Sequence, residues 1–368
     1  MNQRRFYARL ALFLIGLALA VALVEIGVRS VGLDPFVSQP DILDPRGADQ
    51  DCLRPAPWYG FERIPGRCGA NAFGFVDRER VVEKEPGTLR VLVLGDSISE
   101  HRTWVELLEQ LLNPPGTGPV EVWNLGLSGY GTLEELEVLR RKALAWQPDL
   151  VLLQFCLNDY AFTPSLFSFR GQVWRLNMRT QGLGPGSLWL FRKSALYRYI
   201  VYGTLRPDKR PGIGEERGRQ VDAALGEMRD LCQRQGVPFR IVVFPELLEP
   251  GDPEARFTEP RRRVLAAARV QEIPLLDLTT AMGPGELPVL VMSRSSEAYA
   301  DLDALLSRWG RDPAVAPSLR ALPKRSLNLE TTHDPRRPPD TIHPNFLGHY
   351  LAAQATADWL VEDGVVGQ

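Results

Sequence analysis

Short apolar runs alternate with amphipathic stretches along most of the chain after residue 88. Each run is rich in Val, Ile, Leu and Phe and ends in turn-forming residues, which is typical of a strand buried on both faces. The runs predict strands at 89–95, 120–123, 150–155, 239–244 and 273–277. The amphipathic stretches predict helices at 103–112, 215–235 and 261–270, one that begins at 132, and a closing helix that ends near 361. This alternation indicates an α/β domain with a central parallel sheet and helices on both faces.

The first thirty residues follow a different pattern. Three arginines precede an unbroken apolar run at 10–24, and Glu25 is the first ionisable residue after it. With residues 26–28 included, the run approaches the roughly 20 residues that span a bilayer. Basic residues before the run and none inside it predict a membrane anchor at 1–32, with the N-terminus in the cytoplasm and the remaining chain in the periplasm. The alternative is secretion after signal cleavage, but the small-residue site Ala18-Leu-Ala20 lies inside the run rather than after it.

Composition divides the remaining chain into a lead-in and a main domain. Residues 33–88 contain many prolines and no clear periodicity, so we expect a tether whose segment 71–77 packs against the main domain. The main domain is expected at 89–368, with irregular insertions at about 161–212 and 281–338. The first insertion is rich in aromatic residues and follows the third strand. It is either a lid or acyl-binding wall over the active edge, or a part of the domain that packs at its side.

Charge and cysteine usage exclude two classes of function. The 43 basic and 45 acidic residues give a net charge of −2, and the basic residues are scattered, so no nucleic-acid partner is expected. The four cysteines form no C-x-x-C pair, which argues against a structural zinc site. In an oxidising compartment Cys52 and Cys68 could close a disulfide loop, and two free thiols are the alternative. Cys232 lies in a helical pattern and is expected in the core.

The candidate chemistry lies where the predicted strands end, at the edge where open α/β sheets bind ligands. The first strand stops at Gly95-Asp96-Ser97, which places the Ser97 hydroxyl at a helix N-terminus, where backbone N–H groups stabilise developing negative charge. A serine hydroxyl needs an adjacent base, and neutral histidine suits that role. His343 is the candidate base, and Asp340, three residues earlier, is placed to fix its tautomer.

Two further turns follow the second and third strands. The second strand leads into Asn124-Leu-Gly-Leu-Ser-Gly129, and we expect Thr132 to cap the next helix with Glu135 completing a capping box. The third strand ends in Cys156-Leu-Asn158-Asp159. Cys156 closes an apolar strand and has no histidine nearby in sequence, so it is a poor candidate nucleophile. His101 could line the pocket, although a surface position is favoured.

Four segments, in order along 89–361, resemble the blocks of the SGNH, or GDSL-type, hydrolase family. They are Gly95-Asp96-Ser97, Gly129, Cys156-Leu-Asn158-Asp159 and Asp340-Thr-Ile-His343-Pro344. The resemblance implies a flavodoxin-like three-layer α/β/α sandwich with about five parallel strands, here preceded by the N-terminal transmembrane helix. The third segment departs from the family, because Cys156 stands where the family has a glycine and places a side chain where the backbone is tight.

The resemblance also implies an activity and a set of site residues. It implies a serine esterase or acyl hydrolase with the catalytic triad Ser97, Asp340 and His343 and an acyl-serine intermediate. The oxyanion hole would consist of the Ser97 and Gly129 backbone N–H groups and the Asn158 side-chain amide. The implied substrate is an ester-bearing small molecule, glycan or lipid. Location favours an acyl or O-acetyl ester of the cell envelope.

Other interpretations of these residues stay open at this point. Taken singly, Ser97, Asn158 and Asp340 could be helix caps, Gly129 could serve turn geometry, and His343 could be an ordinary histidine at a helix start. The set His333, Asp334, Asp340 and His343 matches no familiar metal spacing, so neither a metal nor another cofactor is expected. The same triad could serve an O-acyltransferase that acts on a sugar hydroxyl, or the fold could be a non-catalytic envelope binding protein. The sequence leaves the oligomeric state undetermined.

Overall fold

The computed structural model describes the chain in two compact units, Met1–Pro55 with Phe162–Ile213 and Ala56–Ala161 with Gly214–Gln368. The described residues are 3–33, 43–44, 52–56, 58, 60–114, 116, 118–160, 166–169, 172–176, 190, 193–204, 213–247, 257–281, 342–344 and 346–366. Asp340 and nearly all of the predicted second insertion therefore lie outside the described residues.

The regular elements belong to both units, and strands alternate with helices across the larger unit. In chain order they are α1 (Gln3–Ser30), β1 (Leu43–Asp44), β2 (Leu53–Ala56), β3 (Gly60–Arg63), β4 (Leu89–Gly95), α2 (Ser97–Glu100), α3 (Thr103–Leu111), β5 (Val120–Gly126), α4 (Thr132–Arg141), β6 (Leu150–Phe155), β7 (Leu166–Phe169), β8 (Gln172–Leu176), α5 (Ala195–Thr204), α6 (Ile213–Arg234), β9 (Phe239–Val243), α7 (Thr258–Val270), β10 (Leu275–Asp277), α8 (Leu278–Ala281) and α9 (Phe346–Glu362). Short 3-10 helices cover Ala143–Trp146 and Leu157–Tyr160.

The larger unit is built on a five-stranded parallel sheet in the order β5–β4–β6–β9–β10. β6 is buried along its whole length, which explains why it stands in the sequence as an unbroken apolar run. Numbered along the chain, the strand order is 2-1-3-4-5, the flavodoxin-like order. The predicted parallel sheet is therefore confirmed. The order reverses between β4 and β6, and such a switch point is where open α/β sheets bind ligands.

Helices pack on both faces of the sheet. Successive side chains of each strand alternate between the two faces, so the apolar side chains on each face need a partner layer. Val91 and Val93 of β4 belong to one buried cluster with Trp104 of α3 and Leu360 of α9. Leu92, buried between them in sequence, points to the opposite face, and α4 contacts β4. Both faces of the sheet are therefore packed against helices.

β5 is longer than the sequence predicted. It continues to Gly126, which pairs with Gly95 at the end of β4, rather than ending at 123. Asn124 is a turn-forming residue, but here its side chain accepts a hydrogen bond from the Gly126 N–H (3.0 Å) and donates one to the Ser99 carbonyl (2.7 Å). Because both polar ends of the amide have partners, Asn124 is accommodated inside the strand.

The cap of α4 also differs from the expected one. Gly131, rather than Thr132, is the N-cap residue, and its N–H donates to the carboxylate of Glu134 (3.2 Å). The Thr132 hydroxyl instead donates to Oδ2 of Asp159 (3.3 Å), and Glu135 is buried. The predicted capping box of Thr132 and Glu135 is thus wrong by one residue, because Gly131 adopts the extended backbone that an N-cap requires.

The lead-in packs against the sheet as expected. Asp77 accepts a hydrogen bond from the Asn124 N–H (3.2 Å), and the Asn124 side chain donates to the Val76 carbonyl (2.9 Å). Phe75 is buried in the same region. The segment 71–77 therefore lies against β5, close to the edge where the candidate site residues are found.

The smaller unit joins the N-terminal segment to the first insertion. β1 pairs antiparallel with β8, and β8 pairs antiparallel with β7, so residues from the insertion and from the lead-in share one three-stranded sheet. Among the described residues, α1 includes one stretch, Phe6–Ser30, that is long and apolar enough to span a membrane or to be a signal sequence. Cys52 and Cys68 are disulfide-bonded, and Cys156 and Cys232 are free and buried.

Candidate active site

The turn after β4 presents Ser97 at the start of the short helix α2. Asp96 is its N-cap, and Oδ1 of Asp96 accepts a hydrogen bond from the Ile98 N–H (2.9 Å). Burial raises the pKa of the Asp96 carboxyl, and the bond from Ile98 opposes that rise. Asp96 therefore holds the turn from inside, and the Ser97 side chain is left partly accessible.

The structure brings Ser97 and His343 together across 246 positions of sequence. Oγ of Ser97 lies 2.6 Å from Nε2 of His343, within the range for proton transfer between a nucleophile and its base. His343 comes from the segment just before α9, and the ring is half-buried. With Nε2 unprotonated, this imidazole can accept the serine proton. The arrangement is the one that an activated serine requires.

The expected oxyanion residues follow the two strands that flank β4. Gly129 lies after β5 with φ of +87°, a left-handed conformation that favours glycine. Asn158 lies after β6, half-buried in a 3-10 helix. The two turns meet, since a Cβ on Gly131 would lie 3.2 Å from the Asp159 carbonyl oxygen. Ser97, Gly129 and Asn158 therefore belong to three adjacent strand ends, and Asp340 lies outside the described residues.

The cysteine in place of the family glycine is buried and free. Burial, together with the negative charges of Asp96 and Asp159, raises the pKa of the Cys156 thiol well above its ordinary value. The thiol is therefore neutral, as expected of a poor nucleophile. The carbonyl of Cys156 accepts from the Asp159 N–H (2.9 Å), so the turn that contains Asn158 closes despite the added side chain.

A network of neutral hydrogen bonds lies beneath the turn that contains Ser97. Oε1 of Gln154, in β6, accepts from the Asp96 N–H (3.2 Å) and from the Ser99 hydroxyl (2.8 Å). The Ser99 hydroxyl in turn accepts from the indole N–H of Trp104 (3.0 Å). All four residues are buried, so the network fixes α2 relative to β6. Its one signal in the sequence is a single polar residue, Gln154, inside an apolar strand.

Two glycines let α2 approach the sheet closely. A Cβ on Gly126 would lie 2.4 Å from Cβ of Ser99 and 2.7 Å from the Glu100 nitrogen. A Cβ on Gly95 would lie 2.4 Å from Oε1 of Gln154. Side chains at either position would push the helix away from the strands. The position of Ser97 therefore depends on glycine at the ends of both β4 and β5.

A charged link ties the Gly129 turn to α2. Glu100 is buried, accepts from Nε of Arg63 (2.6 Å) and accepts a short hydrogen bond from the hydroxyl of Ser128. On the other side of Gly129, the Tyr130 hydroxyl donates to the Phe61 carbonyl (2.5 Å). Both neighbours of Gly129 are thus fixed. Neither Glu100 nor Arg63 was predicted from the sequence, because the link joins segments that are far apart in sequence.

A cluster of buried ionisable groups lies behind the turn after β6. Glu135 and Asp159 are each 1% exposed, and burial raises the pKa of both carboxyls well above ordinary values. Repulsion from Asp159 adds to the rise at Glu135, and repulsion from Asp96 adds to the rise at Asp159. Arg217 of α6 is buried nearby and lowers both pKa values. Among the described residues, neither carboxyl oxygen of Glu135 has a hydrogen-bond partner. Burial in this cluster therefore favours the protonated form of both carboxyls.

Two further histidines lie near His343. The exposed His101 ring stands almost perpendicular to that of His343, with centroids 6.2 Å apart. His349 of α9 is buried, and burial together with the charges of His101 and His343 lowers its pKa to about 3. His349 is therefore neutral near pH 7. Sequence analysis missed it, although its place on the closing helix, six residues after His343, was visible.

A cavity of about 300 Å³ lies beside α3 and the lead-in, and Ser97 is not among its lining residues. Its charged lining is paired internally: Arg80 contacts Asp77 (2.8 Å) and Glu109 (3.1 Å), and Arg102 contacts Glu106. Among the residues that the structure describes, no group of three His, Cys, Asp or Glu side chains is arranged to hold a metal ion. The Ser97–His343 pair therefore remains the arrangement best suited to chemistry.

Comparison with solved structures gives matches of low sequence identity. An acetyl xylan esterase is 14% identical, with 74% of this chain and 100% of that chain covered and a TM-score of 0.38. A variant of an acetyl-xylooligosaccharide esterase from Geobacillus stearmophilus is 14% identical, with coverage of 76% and 97% and a TM-score of 0.38. A GDSL-like lipase from Bacteroides thetaiotaomicron is 12% identical, with coverage of 74% and 88% and a TM-score of 0.34.

Comparison with curated proteins finds no match. Comparison with family models gives a match of a different extent. Residues 93–351 match the model of the GDSL-like lipase/acylhydrolase family, which is well over half of the 368 residues. The matched range begins inside β4, just before Ser97, and extends through His343 into α9. The chain therefore belongs to the GDSL-like lipase/acylhydrolase family and is a hydrolase of that family.

Proposed function

We propose that this protein is a serine ester hydrolase that cleaves an acyl or O-acetyl ester through an acyl-Ser97 intermediate. The observation that supports it is the 2.6 Å distance between Oγ of Ser97 and Nε2 of His343 at the switch point of the sheet. A serine that only capped a helix would not need a histidine at that distance. Family membership gives the same reaction class independently.

In the proposed acylation step, Oγ of Ser97 attacks the ester carbonyl while Nε2 of His343 takes its proton. The carbonyl oxygen becomes an oxyanion, and its donors would be the Ser97 and Gly129 N–H groups and the Asn158 amide. Removing one such donor typically costs about 2.7–4 kcal/mol of transition-state stabilisation. Collapse of the tetrahedral intermediate breaks the C–O bond to the alcohol, which leaves with the proton from His343.

In the proposed deacylation step, His343 takes a proton from water, which attacks the acyl-serine carbonyl. The same oxyanion donors are used, and Ser97 regains its proton as the carboxylic acid leaves. Asp340 is assigned to the remaining ring nitrogen, where a carboxylate would fix the tautomer and stabilise the imidazolium. Asp96 is a poor substitute for that role, because its carboxylate is already bonded to the Ile98 N–H inside the turn.

We assign the substrate to the cell envelope, as an esterified glycan or lipid, with the N-terminal helix retained as an anchor and the hydrolase unit in the periplasm. Support comes from α1, which exposes large apolar side chains from Phe6 to Ile26. A water-soluble protein has no reason to leave such a surface uncovered. The basic residues lie before the apolar run, which orients the N-terminus toward the cytoplasm.

The test is labelling of the full-length protein by a fluorophosphonate, which phosphonylates activated serines with loss of fluoride. We expect labelling of the native protein, none of Ser97→Ala, and full labelling of the matched control Ser30→Ala, since Ser30 is exposed at the end of α1. A folded protein that takes up no label would point to a binding protein with the same fold. Labelling that persists in Ser97→Ala would place the nucleophile elsewhere.

A second measurement separates hydrolysis from transfer. The purified protein is given an activated acetyl ester with and without an oligosaccharide, and free acetate and acetylated sugar are quantified. Hydrolysis predicts that acetate remains the main product when sugar is present. Acetylated sugar that forms faster than acetate would contradict the hydrolase assignment and favour an O-acyltransferase.

A further inference from the structure

The end of α1 differs from the rest of that helix. From Phe6 to Val24 its large apolar side chains are exposed, whereas Glu25 is partly buried and Val28 is only 7% exposed. The covering segment comes from the first insertion, because α1 and α5 contact each other within the smaller unit. The helix is thus an uncovered apolar rod that ends in one packed turn.

Glu25, in the packed turn of α1, caps the N-terminus of α5. The Glu25 carboxylate accepts hydrogen bonds from the Ser194 hydroxyl (2.7 Å) and from the backbone N–H groups of Ala195 (2.7 Å) and Leu196 (2.9 Å). The first N–H groups of a helix have no partner within the helix, and a carboxylate satisfies both their hydrogen bonds and the helix dipole. Arg29 completes the link, since it donates to Glu25 (2.7 Å) and to the Lys193 carbonyl (3.0 Å).

The length of α1 places this cap at a defined depth. With a rise of 1.5 Å per residue, Glu25 lies about 28 Å along the axis from Phe6, close to the ~30 Å thickness of the hydrocarbon core. If the apolar rod spans a bilayer, Glu25 and the N-terminus of α5 therefore lie at the far interface. The carboxylate stays hydrogen-bonded there and does not enter the hydrocarbon.

The outward surface of α5 fits that location. Ala195 and Arg198 are buried, whereas Tyr199 and Ile200 are 47% and 49% exposed. Tyrosine rings favour the headgroup level, because one end is apolar and the other is polar. Lys193 is exposed beside the cap and offers a positive charge to anionic headgroups. Val31, 68% exposed, adds apolar surface directly after α1.

We propose that α5, held by the Glu25 cap, lies at the far membrane–water interface of the bilayer that α1 spans. There α5 forms a second contact of the protein with lipid. The proposal rests on the membrane anchor proposed above. It gives the first insertion a function that differs from a lid: it fixes the end of the anchor helix and rests on the headgroups beside it.

The experiment uses full-length protein in nanodiscs that contain anionic and brominated lipids, with an NBD fluorophore on one introduced cysteine. Ile200→Cys reports on α5, Phe13→Cys on the middle of α1, and Val270→Cys, 84% exposed, on water. The native thiols are disulfide-bonded or buried, so they do not compete for label. We expect strong quenching and a blue shift at Phe13, weaker quenching and a smaller blue shift at Ile200, and neither at Val270.

The outcomes separate this proposal from the anchor itself. Quenching at Phe13 without quenching at Ile200 would overturn the interfacial role of α5 and leave the anchor intact. No quenching at Phe13 would overturn the anchor. Adding Glu25→Ala to the Ile200→Cys protein should abolish quenching at 200 while quenching at 13 persists in the matched pair. Unchanged quenching at 200 would contradict the role of Glu25.

Discussion

The two turns on either side of the switch point are both buried and polar, but they differ in how far their buried polar groups are paired by hydrogen bonds. At the turn after β4, Gln154, Ser99 and Trp104 form a chain of neutral hydrogen bonds beneath Ser97. The one carboxyl in that turn, Asp96, accepts a hydrogen bond from the Ile98 N–H. Among the described polar atoms of this chain of hydrogen bonds, Nε2 of Gln154 is the one that has no partner. The turn after β6 is backed instead by the carboxyls of Asp159 and Glu135, with Arg217 nearby.

This difference has opposite consequences for stability and geometry. Neutral donors and acceptors cost little to bury once they are paired, so the β4 side gains a fixed geometry for Ser97. Buried carboxyls with raised pKa values cost free energy, because the charged form is poorly solvated. We expect substitutions on the β4 side to reduce activity and stability. Removing charge on the β6 side should increase stability.

The largest effect is expected from Gly126→Ala. Its new Cβ would overlap the backbone of α2 at Ser99 and Glu100, so the helix that presents Ser97 must move. Overpacking of this kind costs about 1–3 kcal/mol of folding free energy, and a displacement near 1 Å at a nucleophile reduces the rate by about a hundredfold. Hydrolysis of an acetyl ester and urea denaturation measure the two effects.

The matched control for that change is Gly118→Ala. A Cβ there meets only the Gly87 carbonyl oxygen at 3.8 Å, an ordinary contact, and the position is exposed. We expect both activity and stability to stay within error of the native protein. If Gly126→Ala behaved like Gly118→Ala, the close approach of α2 to the sheet would not be what positions Ser97.

A smaller loss is expected from Gln154→Leu. The substitution leaves the Asp96 N–H and the Ser99 hydroxyl without their shared acceptor, which costs about 1–3 kcal/mol for buried donors. Because the network positions the turn and does not touch substrate, kcat should fall by about tenfold with KM nearly unchanged. Gln110→Leu on the exposed face of α3 is the matched control and should leave both constants unchanged. An unaltered kcat in Gln154→Leu would limit the network to a structural role.

Local pattern was sufficient to predict the sheet, because strands buried on both faces must be apolar along their length, as β6 is. It was also sufficient to predict that Ser97 and His343 meet, because both stand in motifs with a chemical reason for their residue types. The role of Asp340 stays a prediction, since that residue lies outside the described part of the chain.

The parts that sequence reasoning missed depend on contacts between distant segments. Glu100 is fixed by Arg63 and Ser128, and nothing local to Glu100 indicates either partner. Glu25 marks the end of an apolar run, but its role as a cap for α5 requires a segment 170 residues away. The capping register at Gly131 could not be chosen locally, because Thr132 and Glu135 also fit the motif.

Glu135→Gln tests the expectation that removing a buried carboxyl beside the turn after β6 increases the stability of the protein. The pKa of Glu135 is raised above its ordinary value of 4.5 by burial and by Asp159, so the folded state holds the proton more tightly than the unfolded state. The stability due to the proton is present below pH ~4.5 and is lost as pH rises through the folded-state pKa. The amide cannot ionise. We therefore expect Glu135→Gln to be more stable than the native protein at neutral pH, by roughly 1 kcal/mol, and similar at pH 4.

Urea denaturation between pH 4 and 8 measures that difference, with Glu79→Gln on the lead-in as the control for loss of one acidic charge. The Glu79 carboxylate accepts a hydrogen bond from the Ala72 N–H (3.0 Å), so the control should gain no stability at neutral pH. A Glu135→Gln protein that lost stability at neutral pH would mean that the carboxylate is ionised and held by Arg217, contrary to the raised pKa.

Thr132→Val is expected to have the smallest effect on stability. It removes the hydroxyl that bonds to Asp159 in the same cluster. The Thr132 hydroxyl donates to Oδ2 of Asp159 at 3.3 Å, and burial raises the pKa of Asp159, which favours the neutral form of this acceptor. A long bond between neutral groups contributes less than about 1 kcal/mol, whereas a bond to a buried carboxylate would contribute about 1.5–3 kcal/mol. Thr356→Val is the matched control, because the buried Thr356 hydroxyl donates to the neutral Ala352 carbonyl (2.7 Å). Equal small losses in urea denaturation would support a protonated Asp159. A loss of stability at Thr132 well above that at Thr356 would mean that the Asp159 carboxyl is charged. The turn after β6 would then be held by a hydrogen bond to a buried carboxylate, as the turn after β4 is held at Asp96.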